Sequence, residues 1–396
     1  MPSEDVSVFT ELGIHVENPV RATAGQGGAA ADASACAPTP VGDVARELAA
    51  VIRGADAILV GAGQGLALAA ERALLRDDSA AAHDAGVRDL RAYLRATGIA
   101  SVAEAMRFPY ASAEDMWGFL ARYLRVLING PVAGPYGDLG VILHAAPSLV
   151  VTTGADGQVA RVASPGPVWR CRGDARLLQC SQPCHDELFD AAPLVGRMAA
   201  RIAGQLASSQ VTGLTPSDLA CPSDLVPRCP TCGRVLVPWA GDDLLHGEAW
   251  RADACSYRDF LAARLADVAG DADDADASAD AGGASPEARV RPHGGGLLLL
   301  ELGVARGDGA AIATPFWSVA SRHRGARCCL VGCAGAPDAP VAADDGDEAP
   351  DDARDAAGRL DGVRIGRDPG GGLLWTDGDL TRMLAEIRAA LDATDA

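Results

Sequence analysis

Ala57-Ile58-Leu59-Val60-Gly61-Ala62-Gly63-Gln64-Gly65-Leu66 is the stretch on which the fold turns. Four consecutive apolar residues that end in glycines read as a short strand buried on both faces. The residues that follow, Leu66 to Leu75, carry a helical pattern. A strand, a glycine-rich turn and a helix make the first half of a dinucleotide-binding unit. Glycines let backbone N–H groups approach phosphate oxygens, and the helix N-terminus adds positive potential. The alternative is a tight turn between strand and helix with no ligand.

Further runs of the same kind lie outward along the chain. Ser148–Thr153, Leu297–Val304 and Ala326–Gly332 read as buried strands, and Val44–Arg53 and Met116–Leu127 as amphipathic helices. Asp377–Leu391 reads as a closing helix with Asp377 as its N-cap and Leu380, Leu384, Ile387 and Leu391 on one face. Continuous apolar strands separated by helical patterns predict an α/β fold, a Rossmann-like, mostly parallel sheet covered on both faces. Arg170–Trp250 is rich in Cys and Pro and reads as a small inserted module. The expected organisation has five parts: a flexible segment over 1–43; a nucleotide-binding unit over 44–335, with the module at about 170–250; an acidic disordered loop within that unit, at about 266–290; an acidic insertion over 336–358; and a C-terminal strand and helix over 359–396 that pack on the main domain.

The 396 residues are 48% hydrophobic but only 4% aromatic, so the core must be built from Ala, Val and Leu. All 34 basic residues are Arg, a bias that a GC-rich genome explains without function. The net charge of −19 argues against a nucleic-acid partner, because phosphate contacts need a basic face. Met1–Val16 carries Glu4, Asp5 and Glu11 and lacks the basic start and apolar run of a signal peptide. No apolar stretch is read as reaching the roughly 20 residues of a membrane span. The expectation is a soluble, cytoplasmic protein without a membrane partner.

Of eleven Cys, spacing singles out four. Cys180 and Cys184 form one close pair, and Cys229-Pro230-Thr231-Cys232-Gly233 supplies the second. Two such pairs give a tetrahedral Zn²⁺ its four soft ligands, and a closed four-Cys site is structural, with no open position for catalysis. His185 adjoins Cys184 and is an alternative ligand. A redox Cys-x-x-Cys normally opens a helix, which Pro227, Pro230 and Gly233 disfavour here.

Taken in order, Val60-Gly61-Ala62-Gly63, Val151-Thr152-Thr153-Gly154-Ala155-Asp156, Gly173-Asp174, Gln179-Cys180-Ser181-Gln182-Pro183-Cys184-His185, Val226-Pro227-Arg228-Cys229-Pro230-Thr231-Cys232-Gly233 and Leu300-Glu301-Leu302-Gly303-Val304 resemble the sirtuins. More narrowly, they resemble the macrodomain-linked class that acts in protein ADP-ribosyl transfer; Pro315-Phe316-Trp317 and the helix around Trp117 are similar to that class too. The resemblance runs from about Ile52 to Gly332. It implies NAD in a cleft between a Rossmann-like domain and a zinc-bearing domain, with NAD or ADP-ribose and an acceptor protein as partners. It implies that Gly61, Ala62, Gly63 and Gly65 hold the phosphates, that Thr153 contacts the cofactor, that Asp156 hydrogen-bonds the nicotinamide carboxamide, and that Gly303 and Val304 line the adenosine side.

The sequence also departs from the family. Gly154 stands where an Asn is expected, Ala67 where a Ser is expected, and Gly307-Asp308-Gly309 where Asn-Thr-Pro is expected. Arg172 occupies the position of the catalytic His or Gln, and a guanidinium cannot act as general base. Two functions follow. One is an NAD-dependent transferase, with ADP-ribosyl transfer fitting better than lysine deacylation. The other is a catalytically silent NAD- or ADP-ribose-binding relative that keeps the fold and the zinc.

Overall fold

The computed structural model describes residues 39–76, 78–163, 166–206, 212–241, 243–277, 296–323, 325–332, 362–363, 365–367, 373–376 and 379–393. Its strands are β1 (Thr39–Pro40), β2 (Ala57–Ala62), β3 (Ser148–Thr152), β4 (Val168–Arg170), β5 (Gly173–Cys180), β6 (Phe189–Asp190), β7 (Leu236–Ala240), β8 (Leu297–Leu302), β9 (Arg327–Val331), β10 (Gly362–Val363), β11 (Ile365–Arg367) and β12 (Leu373–Thr376).

The main sheet runs β11-β12-β9-β8-β2-β3-β4. Every pairing from β12 to β4 is parallel, and β11 alone runs antiparallel at its edge. The alternation of side chains explains why its central strands are mostly apolar on both faces. Ile58, Val60, Val150, Leu298, Leu300, Cys329 and Val331 enter one core, with the helices Val41–Arg53, Gly134–Leu143 and Leu380–Asp392. Their neighbours Ala57, Leu59, Leu149, Val151, Leu297, Leu299, Cys328 and Leu330 enter a second core, beneath the first turns of the helix Glu248–Ala277 and the helix Ala313–Arg322. A strand that must satisfy two apolar layers has no polar face to show.

A third core forms around the smaller sheet β6-β5-β7. The helices Ala85–Thr97, Val102–Arg107, Ala113–Asn129 and Ala192–Ile202 pack there with Cys180, Cys221 and Cys229. The small domain thus draws on helices well outside the Cys-rich stretch that sequence reading assigned to it. Two links fasten the Ala113–Asn129 helix to this layer. Trp117 Nε1 donates to Leu236 O at 3.2 Å. The fully buried Arg122 guanidinium donates to Leu219 O and Gln205 Oε1 and pairs with Asp89 at 3.4 Å.

Several expectations change. Residues 39–43 lie in β1 and the first helix rather than in a flexible segment; residues 1–38 fall outside the described residues. The acidic stretch expected as loop from 266 is helical to Ala277, as the continuation of the helix that begins at Glu248; 278–290 lies outside the described residues, as does 336–358. The last helix starts at Leu380, capped by Asp379, whose side chain accepts from Arg382 N at 2.7 Å. Asp377, the expected cap, is outside the described residues. Ala113–Leu143 is, by length and composition, long and apolar enough to cross a membrane, contrary to the sequence reading. It consists of two helices broken around Gly130, each facing an apolar core.

Candidate functional site

In open parallel sheets, ligands bind beyond the carboxyl ends of the strands, where the strand order reverses. That reversal falls at β2, between β3 on one side and β8 on the other. A cavity of about 390 Å³ opens on the β3 side of β2. Thr153, Gly154 and Asp156 come to its wall from the end of β3, and Gln64, Ala67 and Glu71 from the helix Gln64–Leu75. Arg172 comes from the turn before β5, and Tyr123 and Tyr136 from two helices of the neighbouring cores. Leu68 and Met106, the exposed large hydrophobic side chains among the described residues, line it as well.

Asp156 is held from two sides. Tyr136 Oη donates to its Oδ2 at 2.8 Å, and Gln158 N donates to its Oδ1 at 3.0 Å. Burial raises its carboxyl above the usual range, against the pull of these two donors. The loop is pinned to the small sheet by Ala175 N donating to Ala155 O at 2.7 Å. A polar acceptor therefore stands fixed at the junction of the two layers. Thr153 lies 4% exposed, and its hydroxyl is buried with no hydrogen-bond partner. A buried hydroxyl without a partner calls for an explanation, and a polar group of a ligand or a water supplies one. These two residues fit the carboxamide-and-ribose end of NAD.

The phosphate side fits differently. Gly63 N donates to Leu302 O at 2.9 Å and Gly65 N to Gly303 O at 2.8 Å. A Cβ on Gly63 would stand 2.5 Å from Gly303 O, and one on Gly65 2.6 Å from the same atom. Gly303 itself takes a left-handed backbone, φ 60°. These glycines are therefore required by the close crossing of two backbones at the ends of β2 and β8. Gly61 and Ala62 end β2, and Gly303 and Val304 follow β8; none of the four lines the cavity wall.

Arg172 is half-buried, and its Nη2 donates to Gly307 O at 3.0 Å, joining the small domain to the turn after β8. Among the described residues no His lines the cavity: His144 and His246 are exposed, His246 against the Trp250 ring at 4.5 Å. Asp174 is tied to Arg176 at 2.7 Å. Sequence reasoning missed Glu71 and Tyr136. Burial raises the Glu71 carboxyl, Val102 N donates to it at 3.1 Å, and the nearby Asp156 charge raises it further. The signal for Glu71 was its place one turn after Ala67, on the same helix face.

The four predicted cysteines come together, their Sγ atoms all within 4.8 Å of one another. Cys180 and Cys232 stand 3.4 Å apart, and Cys184 and Cys229 3.6 Å. A tetrahedral Zn²⁺ with bonds of about 2.3 Å spaces its sulfurs about 3.8 Å apart, so the set fits zinc. Burial would raise the Cys229 thiol, but the backbone amides of Cys232 and Thr231 and the His185 ring hold it down to about 6. His185 Nε2 lies 3.2 Å from Cys229 Sγ, which places it beside the four sulfurs as a hydrogen-bond partner.

An α/β protein with a cavity beside the carboxyl ends of β2 and β3 and a four-Cys cluster is thus defined. No family model matches the chain. A curated relative, a protein ADP-ribosyltransferase of Staphylococcus aureus, is 24% identical over 190 residues, covering 48% of this chain and 54% of its own. The chain spans about half the length of that relative. Among solved structures it is similar to a Sir2 homologue in complex with NAD, at 13% identity over 88% of this chain and 94% of that one, with a TM-score of 0.39. A sirtuin structure solved to explain substrate affinity matches at 12% identity over 88% and 98%, with a TM-score of 0.42. The relative is named for the activity of the narrower class that the motifs resemble.

Proposed function

We propose that this chain is a sirtuin-like protein that binds NAD or ADP-ribose, with zinc as a structural ion, and that its chemistry is ADP-ribosyl transfer to a protein rather than lysine deacylation. The observation that carries the reading is the pairing, in one cavity, of an orphaned Thr153 hydroxyl with an Asp156 carboxylate fixed by Tyr136. NAD, when bound, would supply an ADP-ribosyl group on a good leaving group. The protein's share is to hold it. Asp156 would accept from the carboxamide N–H, and Thr153 would meet a hydroxyl or carbonyl. Transfer reactions of this kind depend largely on positioning and electrostatics. Deacylation in sirtuin-like proteins needs a proton acceptor where Arg172 stands, and a guanidinium cannot serve. The likeness to a protein ADP-ribosyltransferase supports the same preference.

A second reading, a silent binding module, is favoured by Arg172 spending its guanidinium on Gly307 O across the cleft. Two measurements separate the readings. Calorimetry of zinc-loaded protein with NAD and with ADP-ribose reports binding, and release of nicotinamide reports turnover. Asp156→Asn should abolish nicotinamide release and weaken NAD more than adenosine. Binding of ADP-ribose without any release of nicotinamide selects the silent module, and no binding of either ligand rejects both readings.

A further inference from the structure

The amides that open the Gln64–Leu75 helix are all occupied from within the chain. Gly63 N and Gly65 N are held by carbonyls of the β8 end, and Leu66 N donates to Gly63 O at 3.1 Å. The remaining amide, Gln64 N, donates to Asp308 Oδ2 at 3.0 Å. The same oxygen accepts from Ala305 N at 2.9 Å. Asp308 is 1% exposed, and its other oxygen, Oδ1, is buried with no hydrogen-bond partner. A charged oxygen left unpaired in the interior is costly, and its persistence calls for a reason. The place it occupies supplies one. The N-terminus of a helix after a glycine-rich turn is where phosphates settle, drawn by the free amides and the dipole. Here a carboxylate of the same chain stands there, and Arg172 braces its turn through Gly307 O.

We propose that Asp308 is a built-in anion in the phosphate position of the glycine-rich turn, and that an ADP-ribosyl ligand enters only when the Ala305–Gly309 turn swings out. The proposal rests on the nucleotide reading above. It makes Asp308 a specificity-determining residue. With the turn closed, an uncharged nucleoside meets no conflict at the helix start, whereas a diphosphate meets a fixed negative charge and finds its amides taken. With the turn open, Gln64 N and Ala305 N become free to bind the diphosphate.

The test uses the full-length, zinc-loaded protein and three probes: ADP-ribose, inorganic pyrophosphate and adenosine. Asp308→Ala should tighten ADP-ribose and pyrophosphate on the order of 10- to 100-fold, the range for a charge-assisted hydrogen bond lost to a competitor, and leave adenosine unchanged. Asp308→Asn keeps an acceptor for both amides and removes the charge, so it should fold normally and show a smaller gain in the same direction. If Asp308 were only a cap, its loss would lower stability and leave ADP-ribose affinity unchanged or weaker; that result in the Asn variant overturns the proposal while the nucleotide reading stands. Should adenosine and ADP-ribose bind to none of the three proteins, the nucleotide reading fails and the proposal falls with it.

Discussion

Replacing Cys229 by Ser should unfasten the small domain. Cys229 and Cys180 are both buried in the core around β5, whereas Cys184 and Cys232 are exposed, so the ion would clamp an inner pair of ligands to an outer pair. The surrounding elements lean on that clamp. β7 follows directly from the second knuckle, and its Leu236 O receives Trp117 Nε1. An ion that binds only the folded state stabilises it by about 4 kcal/mol when present at roughly 1,000 times its dissociation constant. Whole domains are stable by only about 5–15 kcal/mol, so this one term decides whether the third core holds. At roughly 2–4 °C per kcal/mol for a unit of this size, loss of the metal should lower the melting temperature by about 8–16 °C. The measurements are elemental analysis, with about one Zn²⁺ per chain expected in wild type and far less in the variant, and thermal melts with and without a strong chelator. Wild-type protein free of zinc, or a melt indifferent to the chelator, would refute the reasoning.

Glu301 is buried in the middle of the sheet, and burial raises its carboxyl to about 7. A raised carboxyl favours the folded state below the unfolded pKa, near 4.5, and that contribution is lost as pH climbs through about 7. Glu301→Gln should therefore melt like wild type at pH 4 and several degrees higher at pH 8, a gap of up to about 3 kcal/mol; a pH-independent gap would argue against it. Asp89→Ala leaves the fully buried Arg122 without its counter-ion and should cost about 3–5 kcal/mol in a denaturant titration. Lysine deacylation of an acyl-peptide by wild type should sit near background, since the absence of a general base costs about 10²- to 10⁴-fold; ordinary sirtuin-like rates would sink that view. A Cβ at Gly154 meets nothing closer than 3.4 Å, so Gly154→Asn with Arg172→Gln should fold and gain NAD affinity or ADP-ribosyl transfer, read by calorimetry and nicotinamide release.

Some features were legible because a single physical demand wrote them into the sequence. Burial on two faces makes β2, β3, β8 and β9 continuous apolar runs, and four thiolates need two close pairs. Other features were not legible because they are made by distant segments meeting. Nothing near Gln64 announces that Asp308 will reach it, and nothing in Ala85–Asn129 announces that these helices will pack on the Cys-bearing sheet. The Ala- and Asp-rich stretch after Leu265 illustrates a different limit: low complexity suggested a loop, while the helix that begins at Glu248 runs on to Ala277 through residues of which the Ala favour helix and the Asp and Gly oppose it.

The glycine-rich turn invites an inference that its geometry does not support. Gly63 and Gly65 must be glycine here whether or not a nucleotide ever binds, because the backbone of Gly303 lies against both. Their presence therefore weighs on the fold and is silent on the ligand. The weight for function falls on polar groups that face the cavity: a Thr153 hydroxyl with no hydrogen-bond partner, a Tyr136 that orients Asp156, and a Glu71 carboxyl raised by burial. Of the residues at which the sequence departs from the motifs it resembles, some line that space and others lie beside it. Gly154 and Arg172 line the cavity, and Gly307 and Asp308 form the turn that Arg172 braces. Arg172 joins that cavity to the Gly307–Asp308 turn, so the decisive experiments vary the ligand as well as the protein.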